Sequence, residues 1–244
     1  MKRAAAKRHR FSGGERLFHR IYTRLGCEGR PPHFVVEYHP YADLTHTIRL
    51  REDTAYVRLS DVLRDAPLAV LEAAAAILLG RLYRRRPSRE MLEVYREFSY
   101  ARSTRRRLLA LRQRRGRRAE HHPAGAHHDL EPMFAQLNLR YFSDVLPKPR
   151  LGWSARMWRS QLGCFDPALE QIVINRQLDA PGVPDYVVGY VLYHEMLHLK
   201  HPVKFARCRR QSHSPQFRQE EKKYAHYRRA MKFLDHFPAP SRAR

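Results

Sequence analysis

Apolar and polar positions alternate along the first half of the chain with two different periods. Between residues 15 and 25, apolar side chains recur every three or four positions, which predicts a helix with one apolar face. Residues 34–38 form a short β-type run. Residues 47–50 and 56–59 alternate on either side of Glu52-Asp53, which predicts a β-hairpin.

Two helices are predicted after this hairpin. Residues 68–83 follow Pro67 and are apolar nearly all round, which is typical of a buried helix. Ser88 is a suitable N-cap for a further helix that passes through Phe98 and continues to Arg114. The first half therefore has the elements of a small α+β domain.

The second half repeats this order of elements. Asp129 is a helix N-cap, and Ser214-Pro215 supplies an N-cap and a first-turn proline for the last helix. Asp166-Pro167 separates two strand-like runs and predicts a second hairpin. The predicted elements are a helix over 130–142, strands over 151–153, 163–165 and 171–175, a helix over 184–201, and a last helix through Phe217, Tyr224, Tyr227 and Met231.

The helix predicted over residues 184–201 contains the sequence His194-Glu195-Met196-Leu197-His198. Because a helix rises about 1.5 Å per residue, the two histidines share one face and lie about 6 Å apart along the axis. Glu195 projects about 100° around the helix, beside an ion held by both imidazoles. This pattern is typical of zinc hydrolases with a glutamate general base. The alternative is two polar histidines on a half-buried helix.

A catalytic zinc ion takes three protein ligands and leaves one position open. His201 lies about 10 Å along the same helix from the first histidine, too far to complete the site while the helix is regular. Glu220 and Glu221 are carboxylate alternatives. We favour His213, because it directly precedes the helix start at Ser214-Pro215, where a side chain turns back over the preceding helix.

These residues resemble the SprT-like (Spartan-type) zinc metallopeptidases. His213-Ser214-Pro215 followed by Phe217 is similar to that family's third histidine shortly before a phenylalanine. The helix over 134–142, the Leu146-Pro147 turn and the run Leu151-Gly152-Trp153-Ser154 are similar to its entry segment. The resemblance covers about residues 129–227, and the N-terminal half is not a standard element of the family.

The resemblance implies a zincin-like α+β catalytic domain with a small antiparallel sheet, with Zn²⁺ on His194, His198 and His213 and with Glu195 as general base. It also implies protein or peptide substrates, in some members proteins attached to DNA. Tyr224 and Tyr227 are candidates for stabilising the oxyanion. We expect the strand over residues 171–175 to pair by its edge with an extended substrate, which predicts weak sequence preference.

The two halves also align with each other. A shift of 115 residues places residues 55–87 over residues 170–202 without a gap, and beyond Pro87 the shift grows to 126 because Ser88 corresponds to Ser214. The alignment predicts a degenerate repeat of the same plan. In it, the first copy carries Leu79, Gly80 and Tyr83 in place of His194, Glu195 and His198.

The chain is strongly basic, with 47 Lys and Arg residues against 24 Asp and Glu residues and a net charge of +23. Such a charge favours polyanions such as nucleic acid, including DNA, or acidic membrane lipid, and charge alone does not choose between them. Residues 102–118 carry nine arginines and no acid, which is typical either of a solvated helix end or of a helix that contacts phosphates. The candidate phosphate contacts are Arg105, Arg106, Arg107, Arg112, Arg114, Arg115, Arg117 and Arg118.

Membrane insertion is not expected, since the longest apolar run, residues 73–79, is too short to span a bilayer. The basic N-terminus has no apolar run after it, so we expect a cytoplasmic protein, with nucleoid association as a further expectation. The three cysteines are scattered and contain no C-x-x-C pair, which leaves neither a disulfide framework nor a cysteine zinc ribbon.

The predicted organisation has five parts. The parts are a disordered basic tail (1–13), an N-terminal α+β domain ending in the Arg-rich helix (14–118), a His-rich linker (119–128), the catalytic domain (129–238) and a tail (239–244).

Two alternatives to the zinc metallopeptidase stay open. These are a basic nucleic-acid-binding protein with a non-proteolytic zinc site, and a zinc hydrolase of a non-peptide substrate. Glu195 argues against the first, because a structural zinc site needs no base.

Overall fold

The computed structural model describes residues 9–116, 121–206 and 209–237, and these residues fall into two compact units. Of the described residues, the first unit comprises 9–116 together with Arg209, and the second comprises 121–206 and 210–237. The predicted boundary at residue 118 and the predicted tail over residues 239–244 lie outside the described part of the chain.

The first unit builds a mixed sheet and covers one of its faces with helices. Its elements are β1 (His9–Arg10), α1 (Gly14–Arg24), β2 (His33–His39), β3 (Thr47–Arg51), β4 (Thr54–Ser60), α2 (Leu68–Tyr83), α3 (Arg89–Tyr100) and α4 (Arg102–Arg115).

The strands of this sheet lie in the order β1-β2-β4-β3. β2 runs parallel to β4, whereas β3 runs antiparallel to it. Alternate side chains such as Val36 and Val57 are buried and share a core with Phe18 of α1 and Leu79 of α2. The α+β character predicted for this half is therefore confirmed.

Two predictions for the first unit need correction. Residues 9–13, predicted as part of a disordered tail, are ordered: β1 pairs with β2, and the Phe11 ring packs 5.2 Å from the Tyr38 ring. The free edge of β2 and an apolar partner for Phe11 order this segment. The long helix predicted from Ser88 to Arg114 is two helices, because the backbone of Ala101 is extended (ψ 140°) between α3 and α4.

The second unit is also α+β and has a smaller, three-stranded sheet. Its elements are α5 (Leu130–Phe142), β5 (Arg150–Trp153), β6 (Gly163–Asp166), β7 (Gln171–Ile174), α6 (Asp185–Lys200), β8 (Lys204–Ala206), β9 (Arg209–Gln211), α7 (Pro215–Glu221) and α8 (Tyr227–Asp235).

The sheet of the second unit is mixed, not antiparallel as predicted. Its order is β5-β7-β6, with β5 parallel and β6 antiparallel to β7. The strand over residues 171–174 is therefore central and offers no edge to a substrate, contrary to the prediction. The edge strands are β5 and β6, because the chain crosses from β5 to the far side of the sheet before β7 returns between them.

The predicted His-rich linker is an ordered segment within residues 121–128. Backbone N–H groups of Ala126, His127 and His128 donate to the carboxylate of Asp179 at 2.6, 2.9 and 3.1 Å. Burial would raise the pKa of Asp179, but these three donors hold it below its usual value. A Cβ on Gly125 would lie 2.5 Å from the same carboxylate, so glycine allows this close approach.

The helix caps predicted from the sequence are present. The side chains of Ser88 and Asp129 accept backbone N–H groups at the starts of α3 and α5. Ser214 accepts from Phe217 N at 3.1 Å, with Pro215 in the first turn of α7. The single last helix that was predicted is instead two, α7 and α8. Among the described helices, none is both long enough and apolar enough to cross a membrane.

Candidate metal centre

Helix α6 presents two histidines on one face near its C-terminal end. The first part of the helix is buried on all sides, with Val187 and Leu192 fully buried. The rings of His194 and His198 are four residues apart in sequence and 5.2 Å apart between centroids. The predicted i, i+4 arrangement on a single helical face is therefore what the structure has.

His213 joins this pair from the loop that precedes α7. Its ring lies 5.0 Å from each of the other two rings, and its Nε2 lies 3.3 Å from Nε2 of His198. Zn–N bonds of about 2.0 to 2.1 Å in a tetrahedron put two ligand nitrogens about 3.3 Å apart. One ligand atom from each of the three histidines lies within 4.8 Å of the others, so the set fits a zinc ion.

The Phe217 ring packs against all three imidazoles. Its fully buried ring lies 5.1, 4.8 and 4.7 Å from the rings of His194, His198 and His213. Because α7 begins at the Ser214 cap, Phe217 lies one turn into the helix and faces α6. This contact gives a physical reason for a phenylalanine shortly after the third histidine.

Glu221, a carboxylate alternative for the third ligand, instead contacts a histidine. Its Oε1 lies 2.6 Å from Nδ1 of His194 and accepts a hydrogen bond from the Tyr190 hydroxyl at 3.0 Å. Burial would raise the pKa of Glu221, but these partners hold it below its usual value, so it stays ionised. A carboxylate on Nδ1 leaves Nε2 of His194 as the ligand atom.

The other two alternatives lie outside this group. Glu220 pairs with Nζ of Lys200 at 2.7 Å and lies 3.3 Å from Nε2 of His201. Within the described residues, the three-histidine cluster is the one set of His, Cys, Asp or Glu side chains with metal-binding geometry. The histidines of the segment 121–128 are not part of such a set.

Glu195 lies beside the cluster and is 6% exposed. Burial raises its pKa to about 7, while His194 and the backbone N–H of Phe165 act in the opposite direction. A Cβ on Gly163 would lie 2.6 Å from Oε1 of Glu195, so a side chain there would displace the carboxylate. Strand β6 thus positions the Glu195 carboxylate through one N–H group and one glycine.

A cavity of about 550 Å³, here called the cleft, opens next to Glu195 and His194. Its wall includes the loop between β5 and β6, which the fully buried Asn175 holds in place. The Asn175 side chain accepts from Trp158 N at 3.2 Å and donates to the carbonyls of Trp158 and Gln161 at 2.9 and 3.1 Å. The apolar part of the wall consists of Trp158, Leu162, Val191, Met231, Leu234 and Phe237.

The two tyrosines predicted as oxyanion stabilisers are not among the residues that line the cleft. The Tyr224 hydroxyl donates to the carbonyl of Tyr186 at 3.0 Å and sits against Gly189, where a Cβ would be 2.7 Å away. The Tyr227 ring packs edge-on against Tyr190 at 5.7 Å. The break between α7 and α8 turns Tyr224 inward. Tyr190 itself lines the cleft, which the sequence did not indicate.

The arginines of α4 belong to the first unit and have mixed environments. Arg107 lies 3.5 Å from Asp65, and Arg115 donates to Asp61 at 2.9 Å and to the carbonyl of Tyr41 at 3.1 Å. Intramolecular contacts therefore engage part of the predicted phosphate-binding set. Arg105 and Arg112 also have partners, Arg106 and Arg114 are exposed, and Arg117 and Arg118 lie outside the described residues.

Comparison with protein families identifies one match. The family described as the SprT-like family matches residues 130–234, which include the three histidines, Glu195 and Phe217. No curated protein and no solved structure matches the chain. The resemblance seen in the residues is thereby confirmed: residues 130–234 of this chain match the model of the SprT-like family.

Proposed function

We propose that the second unit is a zinc-dependent metallopeptidase that hydrolyses peptide bonds of protein substrates. The observation that supports it most directly is the convergence of His194, His198 and His213 beside a buried carboxylate, Glu195. A purely structural zinc site would need neither the carboxylate nor the cleft next to it. Family membership over residues 130–234 supports the same class of enzyme.

In this proposal the residues of the site have distinct roles. Zn²⁺ held by the three histidines would supply a Lewis acid that polarises the substrate carbonyl and acidifies water. Glu195 accepts the proton of the attacking water and delivers it to the leaving amine nitrogen. Glu221 keeps His194 oriented through Nδ1, and Gly163 leaves the space in which Glu195 stands.

Strand β6 is the proposed docking edge for substrate. It pairs with β7 on one side, is one of the two edge strands of its sheet, and borders the cleft at Gly163. An extended peptide that adds to this edge is held by backbone hydrogen bonds, with limited dependence on its sequence. The apolar wall of the cleft, which includes Val191 and Met231, suits one apolar side chain of the bound peptide.

We also propose that the first unit is a catalytically silent copy of the second. Both units have the order helix, three strands, buried helix, capped helix. In each unit the third of these strands, β4 or β7, is central; the first strand runs parallel to it, and the second forms an antiparallel hairpin with it. The burial pattern moves the helix alignment to 117 residues, two more than the sequence comparison suggested. With this shift, all nine buried positions of α2 fall on buried positions of α6.

The proposed activity is tested with Glu195→Gln, which keeps size and polarity but removes the base. Cleavage of an unfolded protein should fall by about 10²- to 10⁴-fold while bound zinc stays at the wild-type level. Glu220→Gln is the matched control, since Glu220 contacts Lys200 and lies outside the histidine group, and it should cleave normally.

Equal cleavage by wild type and Glu195→Gln would contradict the proposal. A zinc-loaded, folded wild type that cleaves no protein would favour a non-proteolytic zinc site. Ester or amide hydrolysis without protein cleavage would favour a non-peptide substrate. An association with DNA or with DNA-bound proteins, and a cytoplasmic or nucleoid location, belong to this proposal as expectations from charge and family resemblance.

A further inference from the structure

The sheet of the first unit has a second face, opposite the one packed against α1 and α2. Residues paired across neighbouring strands share a face, and the pairs Val35 with Tyr56 and Arg49 with Tyr56 define one row on this second face. The next row joins Glu37, Arg58 and Thr47. We call the surface formed by these two rows, with Arg10 and Arg51, the open sheet face.

The open sheet face combines an exposed aromatic ring with several cations. Tyr56 is 47% exposed, and Arg49 and Arg51 beside it on β3 are exposed as well. Glu37 is the acid within the two rows, and its Oε1 already accepts from Nε of Arg58 at 2.7 Å. The face therefore keeps a positive balance, although Glu52 and Asp53 follow in the turn beyond Arg51.

The face also has depth. A cavity of about 420 Å³ lies on it, bordered by Val35, Tyr41, Arg49 and Tyr56. Arg115, near the end of the Arg-rich helix α4, donates to the carbonyl of Tyr41 at 3.1 Å. Arg115 of α4, which also pairs with Asp61, thus reaches the rim of the same cavity.

A flat aromatic ring flanked by guanidinium groups matches the chemistry of an unpaired nucleotide. Bases stack on aromatic side chains, while arginines contact the phosphates on either side. A base has its face available for stacking on Tyr56 when the strand is single, whereas a duplex keeps its bases stacked inside. We propose that the open sheet face binds single-stranded nucleic acid, with Tyr56 as the stacking platform and Arg49 and Arg51 as phosphate contacts.

This proposal does not depend on the peptidase activity, so its test uses the full chain with a metal chelator present. Fluorescence anisotropy would measure the binding of a labelled single-stranded DNA of about 15 nucleotides. Single-stranded RNA of the same sequence, duplex DNA and polyglutamate serve as competitors. The two single strands distinguish the source of the ligand, and polyglutamate represents an acidic protein partner.

The decisive variants change the ring or one charge. Tyr56→Leu should weaken single-strand binding by about 5- to 150-fold, whereas Tyr56→Phe, which keeps the ring, should bind like wild type. Arg49→Gln should weaken binding and reduce the salt dependence by about one counterion. Arg96→Gln makes the same charge change on an exposed position of α3 and should have little effect.

Other results would overturn the assignment. Unchanged binding by a folded Tyr56→Leu, or an equal loss in Tyr56→Phe and Tyr56→Leu, would exclude stacking on this ring. Competition by polyglutamate as effective as by single strands would show a surface for acidic proteins. Stronger binding of duplex DNA, lost in Arg106→Gln but not in Arg49→Gln, would assign the polyanion site to α4.

Discussion

Helices α2 and α6 are alike in length, N-cap residue and burial, yet of the two only α6 contributes residues to the three-histidine cluster. Each has 16 residues and an N-cap proline, with ψ of 148° at Pro67 and 149° at Pro184. Each is also the buried helix of its unit. With the shift of 117 residues, His194, Glu195 and His198 correspond to Ile77, Leu78 and Arg81. The fold therefore requires a buried helix at this place, but it does not require the two histidines and the glutamate.

The surroundings of the two helices differ in a matching way. In the proposed alignment, the serine caps of α3 and α7 make Tyr95 the counterpart of Glu221, and His46 directly precedes β3 whereas Gly163 is the first residue of β6. In the first unit, Nε2 of His46 lies 2.7 Å from the Tyr95 hydroxyl. Under the proposed repeat, this histidine–tyrosine pair lies at the place where the second unit has Gly163 beside Glu195 and Glu221 beside His194.

The largest expected effect is a loss of bound zinc that distinguishes α6 from α2. His198→Ala removes one of three ligand nitrogens, so bound zinc should fall from about one per chain to near zero, because two ligands hold zinc poorly. Arg81→Ala, at the matching position of α2, should retain all of its zinc. Metal analysis after dialysis measures both variants, and zinc retained by a folded His198→Ala would disprove the assignment of the ligands.

The second largest expected effect is a pH-dependent change in the stability of the first unit. Burial lowers the pKa of His46 to about 4 from 6.5, against the opposing effect of Asp43, and Nδ1 accepts the N–H of Ser60 at 3.0 Å. Between these two values the unfolded chain binds the proton that the folded chain excludes. The contribution of neutral His46 to the free energy of unfolding is therefore fully present above pH 6.5 and is lost as the pH falls towards 4. This contribution amounts to about 3 kcal/mol.

Urea unfolding of wild type and His46→Gln at several pH values between about 7 and 4 tests this expectation. Glutamine can accept from Ser60 and donate to Tyr95 but does not titrate in this range. The difference in unfolding free energy between the two proteins should shrink as the pH falls. A constant difference across this range would show that His46 is not held neutral by the fold.

A smaller effect concerns the carboxylate behind the first histidine. Glu221→Ala removes the partner of Nδ1 of His194, which should weaken zinc binding by about 10- to 100-fold. Glu220→Ala changes the neighbouring carboxylate, which contacts Lys200, and should leave the zinc affinity unchanged. Competition with a chromophoric chelator measures both affinities, and equal losses in the two variants would count against a specific role of Glu221.

The smallest effect tests Gly163, the glycine that lies against Glu195. Gly163→Ala should displace Glu195 and lower the turnover of a protein substrate by about tenfold, with zinc retained, since small misplacements of a catalytic group are costly. Gly182→Ala is the control, because a Cβ at Gly182 meets nothing within 4 Å. Normal turnover by Gly163→Ala would mean that the carboxylate has room to move without loss of function.

Local chemistry explains why much of this protein was readable from its sequence. Helix periodicity, the serine and aspartate caps and the spacing of His194 and His198 act within a few residues, so the sequence alone determined them. His213 was predicted correctly as a neighbour of this pair because the Ser214-Pro215 helix start fixes the direction of the chain just before it. The α+β class followed from the same local signals.

Tertiary structure alone decided what depends on long-range closure. The crossing of the chain between β5 and β6 made β7 central and β6 an edge strand, because strand order depends on how distant segments pair and not on their own composition. The same packing placed Glu221 against His194 and let Asn175 hydrogen-bond to the loop that lines the cleft. It also turned Tyr224 away from the cleft. Such contacts join residues far apart in sequence, and no local pattern encodes them.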